Sequence, residues 1–299
     1  MKFRNPELKI KAMAFGGCSF TWGQGLWYYS GLDNPPPDPN YGGAPFVNPV
    51  HLAFREKWRF PNIVADAFDT VAVVRDDNGG ANDHTVEYWQ NCFIRDDRIT
   101  FRNFHRHQQP ITLQPLKYSD ISHFVFQFTQ WGRSGIELDV NGEPVLVDVQ
   151  TVWGGDTRPD FRKEFFVWLK KNISEELEID TFNKFQKFMV NRDLARVKEF
   201  LYTLEKNNIK TYIISWPHEF AQALQEGYDD WMLERLITFN YNGRNHRCIE
   251  EMMRDEGNLR IEDDAEYFET SIRDQHPSLL CHKIIAENII NFIKDKEQK

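Results

Sequence analysis

The sequence predicts an α/β fold in which a parallel sheet is covered by helices on both faces. Two observations lead there. Short apolar runs of strand length, Ile10 to Phe15, Thr70 to Val74, His123 to Phe128 and Ile209 to Ser215, recur along the chain. Segments with helical apolar spacing separate them, and strands that alternate with helices in this rhythm pack as crossover units.

In chain order, Ile10 to Phe15 is a buried strand ended by glycines. The proline-rich stretch 31–49 excludes a helix or a central strand and reads as a surface loop. A helix follows from Pro61, with proline in its first turn. Thr70 to Val74 is the second strand, turned by Asp76-Asp77-Asn78-Gly79-Gly80, and Asn82 can cap the next helix. After the third strand, alternating runs Ile136 to Val140 and Glu143 to Val149 flank Asn141-Gly142, a hairpin signal. Residues 160–206 read as helical, Ile209 to Ser215 as the fourth strand, 218–255 as helical, 256–272 as irregular, and Ser278 to Lys294 as a final amphipathic helix.

The 299 residues fit a single domain, 1–299, with insertions at about 29–60 and 134–160. A net charge of −9 argues against nucleic-acid or anionic-membrane partners, which require a positive surface. There is no apolar leader at the N-terminus and no apolar run long enough to span a bilayer, so a soluble, cytoplasmic protein is expected. Cys18, Cys92, Cys248 and Cys281 lack metal-site spacing and read as free thiols. His51, His84, His105 and His107 have no carboxylate or cysteine at ligand spacing, and no metal or organic cofactor is expected.

Four segments carry chemistry: Gly17-Cys18-Ser19-Phe20-Thr21 after the first strand, Asn78-Gly79-Gly80-Ala81-Asn82 after the second, Gln127-Phe128-Thr129-Gln130-Trp131 after the third, and Asp274-Gln275-His276-Pro277 before the last helix. The first three lie at carboxyl ends of strands, where open α/β sheets place their sites. A serine hydroxyl is a poor nucleophile at neutral pH unless an oriented base lies within hydrogen-bond reach.

This order of segments resembles the SGNH (GDSL-type) hydrolase superfamily of esterases, lipases and carbohydrate deacetylases. The resemblance implies a three-layer α/β/α sandwich with a flavodoxin-like parallel sheet. It assigns Ser19 as nucleophile, His276 as general base and Asp274 as the group that orients the imidazole. Backbone N–H groups of Ser19 and Gly80 line the implied oxyanion hole. The family's third donor, an asparagine, aligns here with Thr129, and Asn82, Gln127 and Gln130 are substitutes. Cys18 stands where the family usually has aspartate, and the Asp–His spacing is one residue shorter than its common form.

Aromatic residues make up 14% of the chain, and several flank these segments. Trp22, Trp27 and Trp131 are candidate substrate-binding faces, and Arg133 is placed either to hold an anionic substrate group or to pair with a carboxylate. The expected activity is hydrolysis of a small ester through an acyl-enzyme, such as an O-acetyl ester on a carbohydrate. The alternative is a module of the same fold that binds glycans without turnover. A third reading is acyl transfer by the same serine. The oligomeric state is left open.

Overall fold

The computed structural model describes residues 11–23, 26, 29, 49–74, 80–94, 100–101, 111–112, 117–153, 159–174, 176, 180–257, 259–260 and 276–298. Its centre is a four-stranded parallel sheet. The first strand is Ala12–Gly16, the second Ala72–Val74, the third Ile121–Phe128 and the fourth Lys210–Ser215, arranged 2-1-3-4 across the sheet. Register is set by pairs such as Phe15 with Val74 and Val125, and Phe126 with Ile213. Beyond the fourth strand, Leu236 makes one further parallel bridge to Ile213.

Alternation along each strand sorts side chains into two cores, because successive residues point to opposite faces. On one face Ala12, Ala14, Phe124, Phe126, Phe128 and Ile213 pack against the helices Asn82–Ile94, Thr181–Lys206 and His218–Gln225. On the other, Met13, Phe15, Val125, Tyr212 and Ile214 pack against Phe60–Ala67, Ile249–Asp255 and Leu279–Glu297. Burying each large apolar side chain contributes roughly 2 kcal/mol, so both faces need their helical cover. All four cysteines are free and buried. Among the described residues, no helix is long and apolar enough to cross a membrane.

The hairpin is Gly135–Val140 paired with Glu143–Asp148, and Val149 opens the short helix Val149–Trp153 rather than ending the strand. Both Asn141 and Gly142 have positive φ, 57° and 85°, the backbone that matches a hairpin's twist. The hairpin has a core of its own. Ile136, Leu138, Val140 and Val147 close over Phe165 and Leu169 of helix Pro159–Asn172 and over Phe185 and Met189 of the long helix Thr181–Lys206. Leu146 points outward and is 62% exposed.

The sequence reading of 218–255 as helical is corrected. The helices His218–Gln225, Asp230–Leu233 and Ile249–Asp255 are interrupted by a second hairpin, Phe239–Tyr241 with Arg244–His246. Its turn is again Asn-Gly, with φ of 49° at Asn242 and 75° at Gly243. The helical stretch at 160–206 is likewise two helices, parted between Asn172 and Thr181. Most of the loop predicted at 31–49, and most of 256–272, lie outside the described residues.

The final helix begins at an N-cap serine: Ser278 Oγ accepts from the Cys281 N–H at 3.2 Å. At its far end Glu297 faces Lys210 and His123, tying the helix to the amino ends of the third and fourth strands. Within it His282 is completely buried, stacked on Phe60, and its Nδ1 accepts the Phe60 N–H at 3.3 Å. The bare Nδ1 places the ring's single proton on Nε2. Burial, reinforced by His276 and Arg59, pushes its pKa from 6.5 down to about 3.

Because the folded pKa lies below the unfolded one, the unfolded chain takes up the proton first. The stability gained by burying the neutral ring is present above pH 6.5 and is lost as pH falls toward 3. The stability difference between wild type and His282→Gln, from denaturant titrations, is expected to shrink below pH 6 by on the order of 1.4 kcal/mol per pH unit. Parallel curves for the two proteins would contradict this.

Candidate active site

The chain leaves the first strand at Gly16 and turns through Gly17 and Cys18 into a single helical turn, Ser19–Trp22, closed by Gly23 in the left-handed region at φ 82°. Gly17 is required by close approach. A Cβ there would sit 2.2 Å from Thr21 Oγ1 and 2.8 Å from Gln127 Cβ. Gln127, from the third strand, straps the turn from behind. Its Nε2 donates to Cys18 Sγ at 3.0 Å and its Oε1 accepts from Thr21 Oγ1 at 2.5 Å. The Cys18 sulfur therefore serves as an acceptor beside the serine, and the Gln127 amide is engaged at both ends.

Ser19 is only 3% exposed, and its Oγ lies 2.8 Å from Nε2 of His276. His276 is brought there by the chain entering the final helix. Pro277 bridges to Arg260, and the Ser278 N–H donates to Leu259 O at 2.8 Å, which fixes the segment just ahead of the helix cap. The imidazole stands edge-on to Phe20 at 5.2 Å between centroids, and Phe20 packs on Trp216 at 4.3 Å. Two residues separated by most of the sequence thus form a hydroxyl–imidazole pair at the carboxyl ends of the strands.

No family model, curated protein or solved structure matches the chain.

Asp274 and Trp27 lie outside the described residues, as does the side chain of Trp22. Gly80 is buried at the entry to helix Asn82–Ile94, at the carboxyl side of the second strand. Asn82 is a clamp on Thr129: its Oδ1 accepts the Thr129 N–H at 2.9 Å and its Nδ2 donates to Thr129 O at 3.2 Å. That same Nδ2 also donates to Asp193 Oδ2 at 2.9 Å. Thr129 Oγ1 is buried with no hydrogen-bond partner among the described residues. Gln130 is half-buried and precedes the 3₁₀ turn Trp131–Arg133. Trp131 packs edge-on against Phe182 and Phe185, joining the sheet core to the hairpin core. Arg133 is half-buried with its guanidinium over the Trp216 ring, 5.8 Å from the centroid.

Sequence reasoning missed Asp193 and Trp216. Asp193 is 1% exposed on the long helix, and its Oδ2 accepts from Ser134 Oγ at 2.6 Å as well as from Asn82. Arg192 approaches its other oxygen at 3.3 Å. Burial raises the Asp193 pKa, opposed by the hydrogen bonds from Ser134 and Asn82 and by the Arg192 charge. Beside it Asp83 accepts the Gly135 N–H at 3.2 Å and pairs with Arg196, so the hairpin root is tied to the same cluster. The readable signal was an acid on an apolar stripe, flanked on that face by Val190 and Val197.

Among the described residues, one other cluster has ligand chemistry. His218, Glu219 and Glu250 bring a nitrogen and two carboxylate oxygens within 4.8 Å of one another. His218 and Glu250 are well exposed, and the His218 N–H and ring already face the Glu250 carboxylate. A groove lined by Glu205, Lys210, Tyr212 and Arg235 lies at the amino end of the fourth strand, the end opposite Ser19.

Removing the Asp193 carboxylate takes the acceptor from the Ser134 hydroxyl and one of two acceptors from the Asn82 amide. Asp193→Ala is expected to destabilise the fold by about 3 kcal/mol, measured by denaturant unfolding. Asp193→Asn, which keeps an acceptor oxygen, is expected to lose less than half of that. Equal losses in the two variants would show that the carboxylate's acceptor role is not what matters.

Proposed function

We propose that this chain is a serine ester hydrolase of the SGNH type, working through an acyl-enzyme. The observation that carries the reading is the 2.8 Å contact between Ser19 Oγ and His276 Nε2. In the proposed reaction Ser19 Oγ attacks the ester carbonyl carbon and its proton passes to His276. Collapse of the tetrahedral intermediate expels the alcohol, which takes that proton back from the imidazole. Water, deprotonated by the same imidazole, then attacks the acyl carbon; the bond to Ser19 Oγ breaks, Oγ takes the proton back from the imidazole, and the acid leaves. The orienting role given to Asp274 falls on a residue outside the described ones. The strand order 2-1-3-4 supports a flavodoxin-like reading, in which the carboxyl ends of the first and third strands face one crevice.

For the oxyanion, backbone N–H groups of Ser19 and Gly80 are the proposed donors, with the Thr129 hydroxyl as the third. Of the four candidates for that third place, Asn82 and Gln127 have their amides committed elsewhere. Thr129 has a buried hydroxyl with no partner among the described residues, an arrangement that ordinarily carries a penalty unless a further atom relieves it. An acyl group on a carbohydrate remains the proposed substrate, and the free, buried thiols support a reducing, cytoplasmic setting.

Incubation with a fluorophosphonate followed by intact-mass measurement tests the nucleophile. A single adduct is expected in the wild type and none in Ser19→Ala or His276→Ala. No adduct on the folded wild type would move the assignment to a glycan-binding module without turnover. Thr129→Val, close in volume, is expected to lower kcat on the order of 10- to 100-fold with little change in KM. An unchanged kcat would remove Thr129 from the oxyanion hole.

A further inference from the structure

We propose that Arg133, seated on the Trp216 indole, forms an anion subsite of the Ser19 site, so that the ester taken carries a carboxylate or phosphate group. This rests on the hydrolase reading and narrows its substrate class.

The placement comes from three contacts in series. The Arg133 guanidinium lies over Trp216, Trp216 packs on Phe20, and Phe20 meets the His276 ring. The cation is therefore two aromatic rings from the imidazole that faces Ser19. The backbone holds both ends of this series at the same edge of the sheet. Arg133 closes the 3₁₀ turn that begins directly after Thr129 and Gln130, with its N–H bonded to Gln130 O at 3.1 Å. Trp216 leaves the neighbouring fourth strand, with its N–H bonded to Phe128 O at 3.1 Å.

The charge state of the surroundings makes the position informative. Arg192, Arg196, Arg235, Arg247 and Arg254 each face a carboxylate oxygen at ion-pair distance. Arg133 has no carboxylate partner among the described residues, although the chain carries a net charge of −9 and is half-buried at this point. Among the described residues no protein acid takes up the pairing role, and in the proposed subsite the guanidinium takes a substrate anion. A guanidinium also presents a planar edge of N–H donors. That edge matches two oxygens of a carboxylate or phosphate at once, which an ammonium cannot do. Hydrogen bonds to a charged partner at a water-poor site contribute enough to decide between substrates that are otherwise alike.

The test uses matched ester pairs on the whole protein. One pair is an O-acetylated hexuronic acid and its methyl uronate. The other is an O-acetylated hexose 6-phosphate and the unphosphorylated acetyl hexose. Wild-type kcat/KM is expected to favour the charged member of at least one pair by about 10- to 100-fold. The pair that shows the preference identifies the anion. Arg133→Gln should abolish that preference by bringing kcat/KM for the charged member down to that for the neutral one. Arg133→Lys, which keeps the charge without the fork, should restore only part of it.

A wild type indifferent to charge, or a preference that survives in Arg133→Gln, overturns the subsite. If no ester is turned over, the hydrolase reading fails by itself, and calorimetric titration with hexuronate and with hexose 6-phosphate decides the subsite separately. Binding lost in Arg133→Gln supports it, and binding that is absent or unaffected refutes it.

Discussion

Asp193 sits on the apolar face of the long helix, where an ionised carboxylate persists only if its oxygens are hydrogen-bonded. The partners it recruits come from two other parts of the chain and from its own helix. Asn82 opens the helix after the second strand, Ser134 stands at the root of the hairpin, and Arg192 is its own neighbour. Asn82 is in turn the residue that grips both backbone groups of Thr129. One buried carboxyl group therefore links the end of the third strand, the root of the hairpin and the long helix behind them. Such a cluster adds little net stability compared with an apolar equivalent, but it leaves few alternative packings, since each would strand a polar atom.

The serine turn follows the same logic on the other side of the third strand. Gln127 points from that strand into the turn and engages Cys18 and Thr21 together, on either side of Ser19. The absence of a side chain at Gly17 lets the strap approach so closely. The hydroxyl is consequently aimed by groups that do not react, and a rigid sheet carries those groups. Phe20, next to the serine, presents its ring to both His276 and Trp216, so the imidazole rests against a surface that the sheet has already positioned.

How much of this the sequence discloses depends on whether the signal is local. Strand length, apolar alternation and the Asn141-Gly142 turn are local, and they place the sheet and the first hairpin to within a residue or two. The Asn242-Gly243 turn carries the same chemistry, but helices close on either side mask it and the intervening strands are only three residues long. Ser19 and His276 are legible because each stands beside a backbone feature with few other uses, a double glycine and a proline followed by a capping serine. The choice among Thr129, Asn82, Gln127 and Gln130 could not be made from residue types, because all four side chains can donate. It turns on which of them the fold has already engaged, a property of pairs far apart in the chain. Trp216 and Arg133 illustrate the same point, since neither is unusual until their strands lie side by side.

The contact between Ser19 and His276 spans 257 positions of chain. During synthesis the first strand and its serine emerge long before residue 276 exists, and the imidazole reaches the hydroxyl only when helix Leu279–Glu297 docks on the finished sheet. In the proposed mechanism Ser19 is until then an ordinary alcohol, and any species in which that helix has not docked, on the ribosome or after its partial unfolding, lacks the base that the reading requires.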